Sequence, residues 1–66
     1  MTAIVNGESR PLAEGTTIAQ LLRELGIETT GVAVARNEQV VRGTLFEREL
    51  VCEGDVIEII RAVAGG

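Results

Sequence analysis

An α+β fold, one sheet with a single helix laid across one face, is the architecture this sequence predicts, and three observations lead to it. Short β-rich runs recur with turn signals between them, one stretch alone has the apolar period of a helix, and the resulting order is β β α β β β within 66 residues. A chain of this length makes one domain, and it buries only roughly 60% of the surface its unfolded form exposes. Hydrophobic residues make up 45% and charged residues 24%, the balance of a globular domain and not of a disordered one.

The first run, Ala3-Ile4-Val5, stops at Asn6-Gly7, a dipeptide suited to the positive φ angles of a tight hairpin turn. Residues 8–12 form the returning strand. Pro11 within it cannot donate to a ladder and so predicts an edge strand. After the breaker-rich Ala13-Glu14-Gly15-Thr16, a helix begins where Thr17 and Gln20 have the spacing of a capping box. Ile18, Leu21, Leu22 and Leu25 fall at i, i+3, i+4 and i+7 and make one apolar stripe, and Gly26 stands where a left-handed C-terminal cap belongs. Val32-Ala33-Val34-Ala35 reads as a strand, residues 36–38 as a turn, and Gln39-Val40-Val41-Arg42 as the partner strand. Residues 43–49 lack a clean period and read as a loop with one helical turn, anchored by Leu45, Phe46 and Leu50. Gly54-Asp55 then turns the chain into residues 56–63, the strongest strand signal of all.

Alternate side chains of a strand point to opposite faces, so one charged position fixes the parity of the rest. Glu58 belongs outside, which turns Ile57 and Ile59 inward and places Ile60 and Ala62 on the outer face with Glu58. Thr2 and Asn6 likewise put Ala3 and Val5 inward and Ile4 outward. Val32 and Val34 face the helix, and Ala33 and Ala35 do not. The outer face therefore presents Ile4, Ile60 and several alanines. Two readings stand: scattered surface apolars, which are normal, and a patch that binds a partner.

What is missing excludes several chemistries. There is no histidine, tryptophan or tyrosine and only one cysteine, Cys52, so no zinc cluster, Cys/His dyad, Ser/His/Asp triad or disulfide can be assembled. Ten acidic residues against six basic ones give a net charge of −4, which argues against nucleic-acid binding. All six basic residues are arginine, and without lysine the N-terminal amine is the only one open to amide chemistry. No basic leader or long apolar run is present, so the chain is expected in the cytoplasm and off the membrane. Cys52 is expected to be a compact apolar residue rather than a sulfur relay. Glu47, Glu49, Glu53, Asp55 and Glu58 have no ligand spacing and are expected to form a solvated acidic face that attracts a basic partner.

The sequence ends Ala64-Gly65-Gly66 directly after the strongest strand. Glycine has no Cβ, so such an end can lie extended in a channel where a side chain would clash. From Val63 the terminal carboxylate reaches roughly 10 to 13 Å, enough to enter a neighbouring active site while the folded body stays outside.

With these features together, the sequence resembles the ThiS family of thiamine-pathway sulfur carriers. The resemblance rests on the β β α β β β order, the run Gly54-Asp55-Val56-Ile57-Glu58-Ile59-Ile60 and the final Ala64-Gly65-Gly66. Asn6-Gly7, Thr17-Ile18-Ala19-Gln20-Leu21-Leu22 and Val32-Ala33-Val34-Ala35-Arg36-Asn37 are similar to other recurring segments of that family. One step departs from it: Val40-Val41-Arg42-Gly43-Thr44-Leu45-Phe46 lacks the family's frequent proline and has Phe46 in place of a tryptophan.

The resemblance implies a ubiquitin-like β-grasp domain over residues 1–63 with a mixed sheet of about five strands, followed by a flexible tail, residues 64–66. It implies that the chain is not an enzyme and binds no cofactor itself. A ThiF-type adenylating enzyme uses ATP and magnesium to attach AMP to the Gly66 carboxylate, and sulfur from a persulfide donor then gives a thiocarboxylate. That sulfur passes to a ThiG-type thiazole synthase. Gly66 is then the reacting residue, Gly65 and Ala64 thread the channel, and Ile4, Ile60 and Ala62 form the partner-binding face. Three alternatives share the fold: a MoaD-like sulfur-carrying subunit of molybdopterin synthase, a modifier joined to other proteins, and a β-grasp interaction module with inert glycines.

Overall fold

The computed structural model describes residues 1–61, in which five strands and one helix follow the expected order. Strand β1 (Thr2–Val5) turns back into β2 (Glu8–Pro11) through Asn6 at φ 49° and Gly7 at φ 83°, the paired left-handed residues of a tight hairpin. Helix α1 (Ile18–Glu24) opens on the capping box: the Gln20 N–H donates to Thr17 Oγ1 at 3.1 Å, and the Thr17 N–H donates back to Gln20 Oε1 at 3.0 Å. It ends at Leu25, with Gly26 at φ 74°. A seven-residue helix is too short to persist alone, so this cap and the packing of its apolar face are what hold it.

Strands β3 (Val32–Arg36) and β4 (Gln39–Val41) form the second hairpin around Asn37 and Glu38, both at positive φ. A 3₁₀ turn (Gly43–Leu45) follows, and β5 (Val56–Arg61) completes the sheet. The strand order is β2-β1-β5-β3-β4, with β1 and β5 parallel and every other pair antiparallel. Pro11 thus lies on an edge strand, as its missing donor requires. The last strand to form in sequence is the central one.

Strand parity holds across the sheet. Ala3, Val5, Val34, Ile57 and Ile59 are buried and join one cluster with Ile18, Ala19, Leu21 and Leu22 of α1 and with Leu12, Phe46 and Val51. Fully burying a Leu or Ile side chain is worth about 1.5–3 kcal/mol each, so Ile18, Leu21, Leu22 and Ile57 dominate a core of this size. Leu25 and Val32 are only partly buried at its margin.

Two expectations are corrected. Leu50 does not anchor the loop: it is exposed, and Val51 is buried in its place. Residues 49–51 run extended beside the start of α1, with the Ile18 N–H donating to the Glu49 carbonyl and the Val51 N–H to the Thr16 carbonyl. Extended backbone sends neighbours to opposite sides, so Val51 goes in and Leu50 out. Arg42 leaves β4 and flanks the 3₁₀ turn. Ala62, Val63, Ala64, Gly65 and Gly66 lie outside the described residues, as does the end expected for β5. Among the described residues no helix is long and apolar enough to cross a membrane.

Candidate functional site

The sheet delivers β5 through its middle, held by β1 on one side and β3 on the other. A central strand is the best-fixed element of a small sheet, and the last five residues of the chain continue from it. The tail residues proposed from sequence, Ala64, Gly65 and Gly66, lie beyond Arg61 and so outside the described part.

On the face away from α1, β5 presents Val56, Glu58 and Ile60. Ile4 is paired with Val56, Ala35 with both Glu58 and Val40, and Ala33 with Ile60. Ile60 is 63% exposed and Ile4 39%. Both therefore face solvent as parity predicts, yet they are not neighbours. Ile60 stands four residues along β5 from Val56, about 13 Å at the usual rise of a strand. The apolar surface is consequently longer than a single patch, with Ile4 and Val56 at one end, Ile60 at the other and Glu58 between them.

The acidic stretch does not behave as one solvated face. Asp55 is buried: its Oδ1 accepts from Asn37 Nδ2 at 3.0 Å and its Oδ2 accepts the Cys52 N–H at 2.8 Å. Glu49 is paired with Arg36 at 2.6 Å, Glu47 is paired with Arg23, and Glu53 accepts the Thr2 N–H. These carboxylates tie loops to the body, which leaves Glu58 as the acidic group of the outer face. Spacing alone could not show this, because apart from the Cys52 N–H the partners come from distant parts of the chain. Cys52 is exposed and fills no core position. Among the described residues no three Cys, His, Asp or Glu side chains are grouped to hold a metal.

A mixed sheet in the order β2-β1-β5-β3-β4 with one helix across one face defines a ubiquitin-like β-grasp protein. A crystal structure of a thiamine biosynthesis protein, ThiS, from Geobacter metallireducens superposes with a TM-score of 0.83 at 29% identity, each chain covered in full. The ThiS family model matches residues 3–66. The chain belongs to the ThiS family, the sulfur carriers of thiamine biosynthesis. It is 42% identical over 62 residues to the sulfur carrier protein ThiS of Thermus thermophilus, covering 94% of this chain and 95% of that one. It is also 36% identical, over its whole length, to 20% of a thiazole synthase from Paramagnetospirillum magneticum.

Proposed function

We propose that this carrier bears its sulfur on the main-chain carboxylate of Gly66. A carboxylate is ionised at neutral pH and is a poor electrophile until one oxygen becomes part of a good leaving group. A ThiF-type enzyme in the cytoplasm supplies that group: the carboxylate attacks the α-phosphate of magnesium-bound ATP, pyrophosphate departs, and an acyl adenylate forms. In a second step the outer sulfur of a persulfide donor displaces AMP to form an acyl disulfide, and a thiol then cleaves that disulfide, keeping the donor's remaining sulfur in a new disulfide and releasing the thiocarboxylate. The chain is the substrate in both steps and contributes no catalytic acid or base. Gly65 and Ala64 keep the approach narrow enough to thread the enzyme's channel.

The observation that carries this reading is the family match, which runs through Gly66 and so includes the glycine end. A thiazole synthase that contains a segment similar to this chain supports a ThiG-type synthase as the acceptor of the sulfur, since a carrier-like segment and a synthase are then parts of one polypeptide. The outer sheet face, with Ile4, Ile60 and the following Ala62, is the surface proposed to dock the adenylating enzyme. Incubation of the chain with a ThiF-type enzyme, ATP and magnesium tests the first step. A mass gain of one AMP is expected, and a chain that stays at its unmodified mass overturns the reading.

A further inference from the structure

Asn6 holds β5 at two successive places. Its backbone N–H donates to the Ile57 carbonyl at 2.9 Å, one step beyond the last β1–β5 residue pair, Val5 with Ile57. Its side chain then continues the ladder where β1 has run out. Asn6 Oδ1 accepts the Ile59 N–H at 2.8 Å, and Nδ2 faces the Ile59 carbonyl at 3.4 Å. The first is a full hydrogen bond and the second a long one. Asn6 takes a left-handed backbone, φ 49°, which asparagine adopts more readily than most residues with a side chain.

The other edge of β5 is held by β3 as far as the pair Val32 with Arg61. With Asn6 in place, the strand is held on both edges to within two residues of Arg61. Without its side chain, the β1 edge would be free beyond the Ile57 carbonyl. A turn residue that needs only a tolerated φ has no use for such a reach, because glycine meets that need alone.

We propose that Asn6 is a positioning residue for the carrier reaction: through Ile59 it splints β5 close to Arg61, so that the residues after Arg61 start from a fixed origin and the Gly66 carboxylate is presented to the adenylating enzyme from that origin. The inference rests on the proposed activation of Gly66. Five residues follow Arg61, and an origin that shifts spreads the carboxylate over a larger volume, lowering its effective concentration at the reacting phosphate. Docking through Ile4 and Ile60 does not depend on that volume, because β3 still holds Ile60 through its pair with Ala33. Loss of the splint therefore lowers kcat for adenylation and leaves KM unchanged.

The test compares wild type with Asn6→Gly, which keeps the positive φ but removes the side chain, and Asn6→Asp, which keeps the acceptor and also tolerates positive φ. All three are measured at a temperature where melting curves show them folded. In Asn6→Gly the Ile59 amide is expected to exchange with solvent faster relative to the amides of β3. The adenylation kcat is expected to fall about five- to thirtyfold, the factor that ordering one backbone residue is worth. Asn6→Asp should recover most of the loss. Unchanged Ile59 exchange overturns the splint, and faster exchange with wild-type kcat overturns its role in positioning. A wild-type chain that takes up no AMP overturns the activation of Gly66 itself, and this inference falls with it.

Discussion

Asn37 and Asp55 lock the β3–β4 turn to the entry of β5: Asn37 Nδ2 donates to Asp55 Oδ1 at 3.0 Å, while Asn37 Oδ1 accepts the Val56 N–H at 2.9 Å. The Asn37 N–H completes the contact by donating to the Val56 carbonyl at 2.8 Å. Asp55 in turn holds the Cys52 N–H with its second oxygen, so one buried carboxylate closes its own turn and grips a second one. This fixes where the central strand starts.

Asp55→Ala removes the acceptor of two hydrogen bonds, from the Asn37 amide and the Cys52 N–H, and at a net worth of about 0.5–1.5 kcal/mol each the loss is about 1–3 kcal/mol. Urea unfolding should show stability lower by that amount, read as a lower midpoint at an unchanged slope, because the surface exposed on unfolding is the same. A midpoint equal to wild type would mean that solvent replaces Asp55 freely and that the lock contributes nothing.

Ile60→Asp tests the outer face. Ile60 is well exposed and paired in the sheet with Ala33, so its replacement should change stability by no more than about 0.5 kcal/mol. Loss of an anchor buried in a protein interface costs about 2 kcal/mol or more. Titration with the adenylating enzyme should show at least that loss, while the melting temperature hardly moves. Wild-type affinity would remove this face from the docking surface.

Much of this arrangement was legible in the sequence because it rests on local rules. Thr17 and Gln20 make the capping box their spacing predicts, Asn6-Gly7 makes the tight turn, and the parity of Glu58 sorts Ile57 and Ile59 from Ile60. The Leu50 misreading arose because hydrophobicity alone does not tell which of two adjacent apolar residues turns inward. Only the pairing of residues 49–51 with the start of α1 decides that. Asp55, Asn37 and the side chain of Asn6 were illegible for a related reason. Each owes its role to a partner at least 18 residues away, as in Asn37 with Asp55, or 53 away, as in Asn6 with Ile59. Polar residues in turns look alike until the fold brings their partners to them.

Gly65→Val adds a β-branched side chain to the segment proposed to thread a channel, and it stiffens χ1 and backbone together. The variant should fold and melt like wild type and still bind the adenylating enzyme through its sheet face. Its rate of AMP uptake should fall at least tenfold, the factor produced by a barrier raised by about 1.4 kcal/mol. Adenylation at the wild-type rate would show that the approach to the active site is wide, and the steric role given to Gly65 would be wrong.

The central claim is that sulfur travels on the carboxylate of Gly66. Intact-mass measurement of the chain purified from cells making thiamine tests it most directly, with a variant lacking Gly66 as the control. A fraction of the full chain is expected to be heavier by the difference between one sulfur and one oxygen atom, with fragmentation placing the change on Gly66, and the shortened chain should show none. A full chain found only at its unmodified mass, or a heavier form that survives deletion of Gly66, would contradict the account.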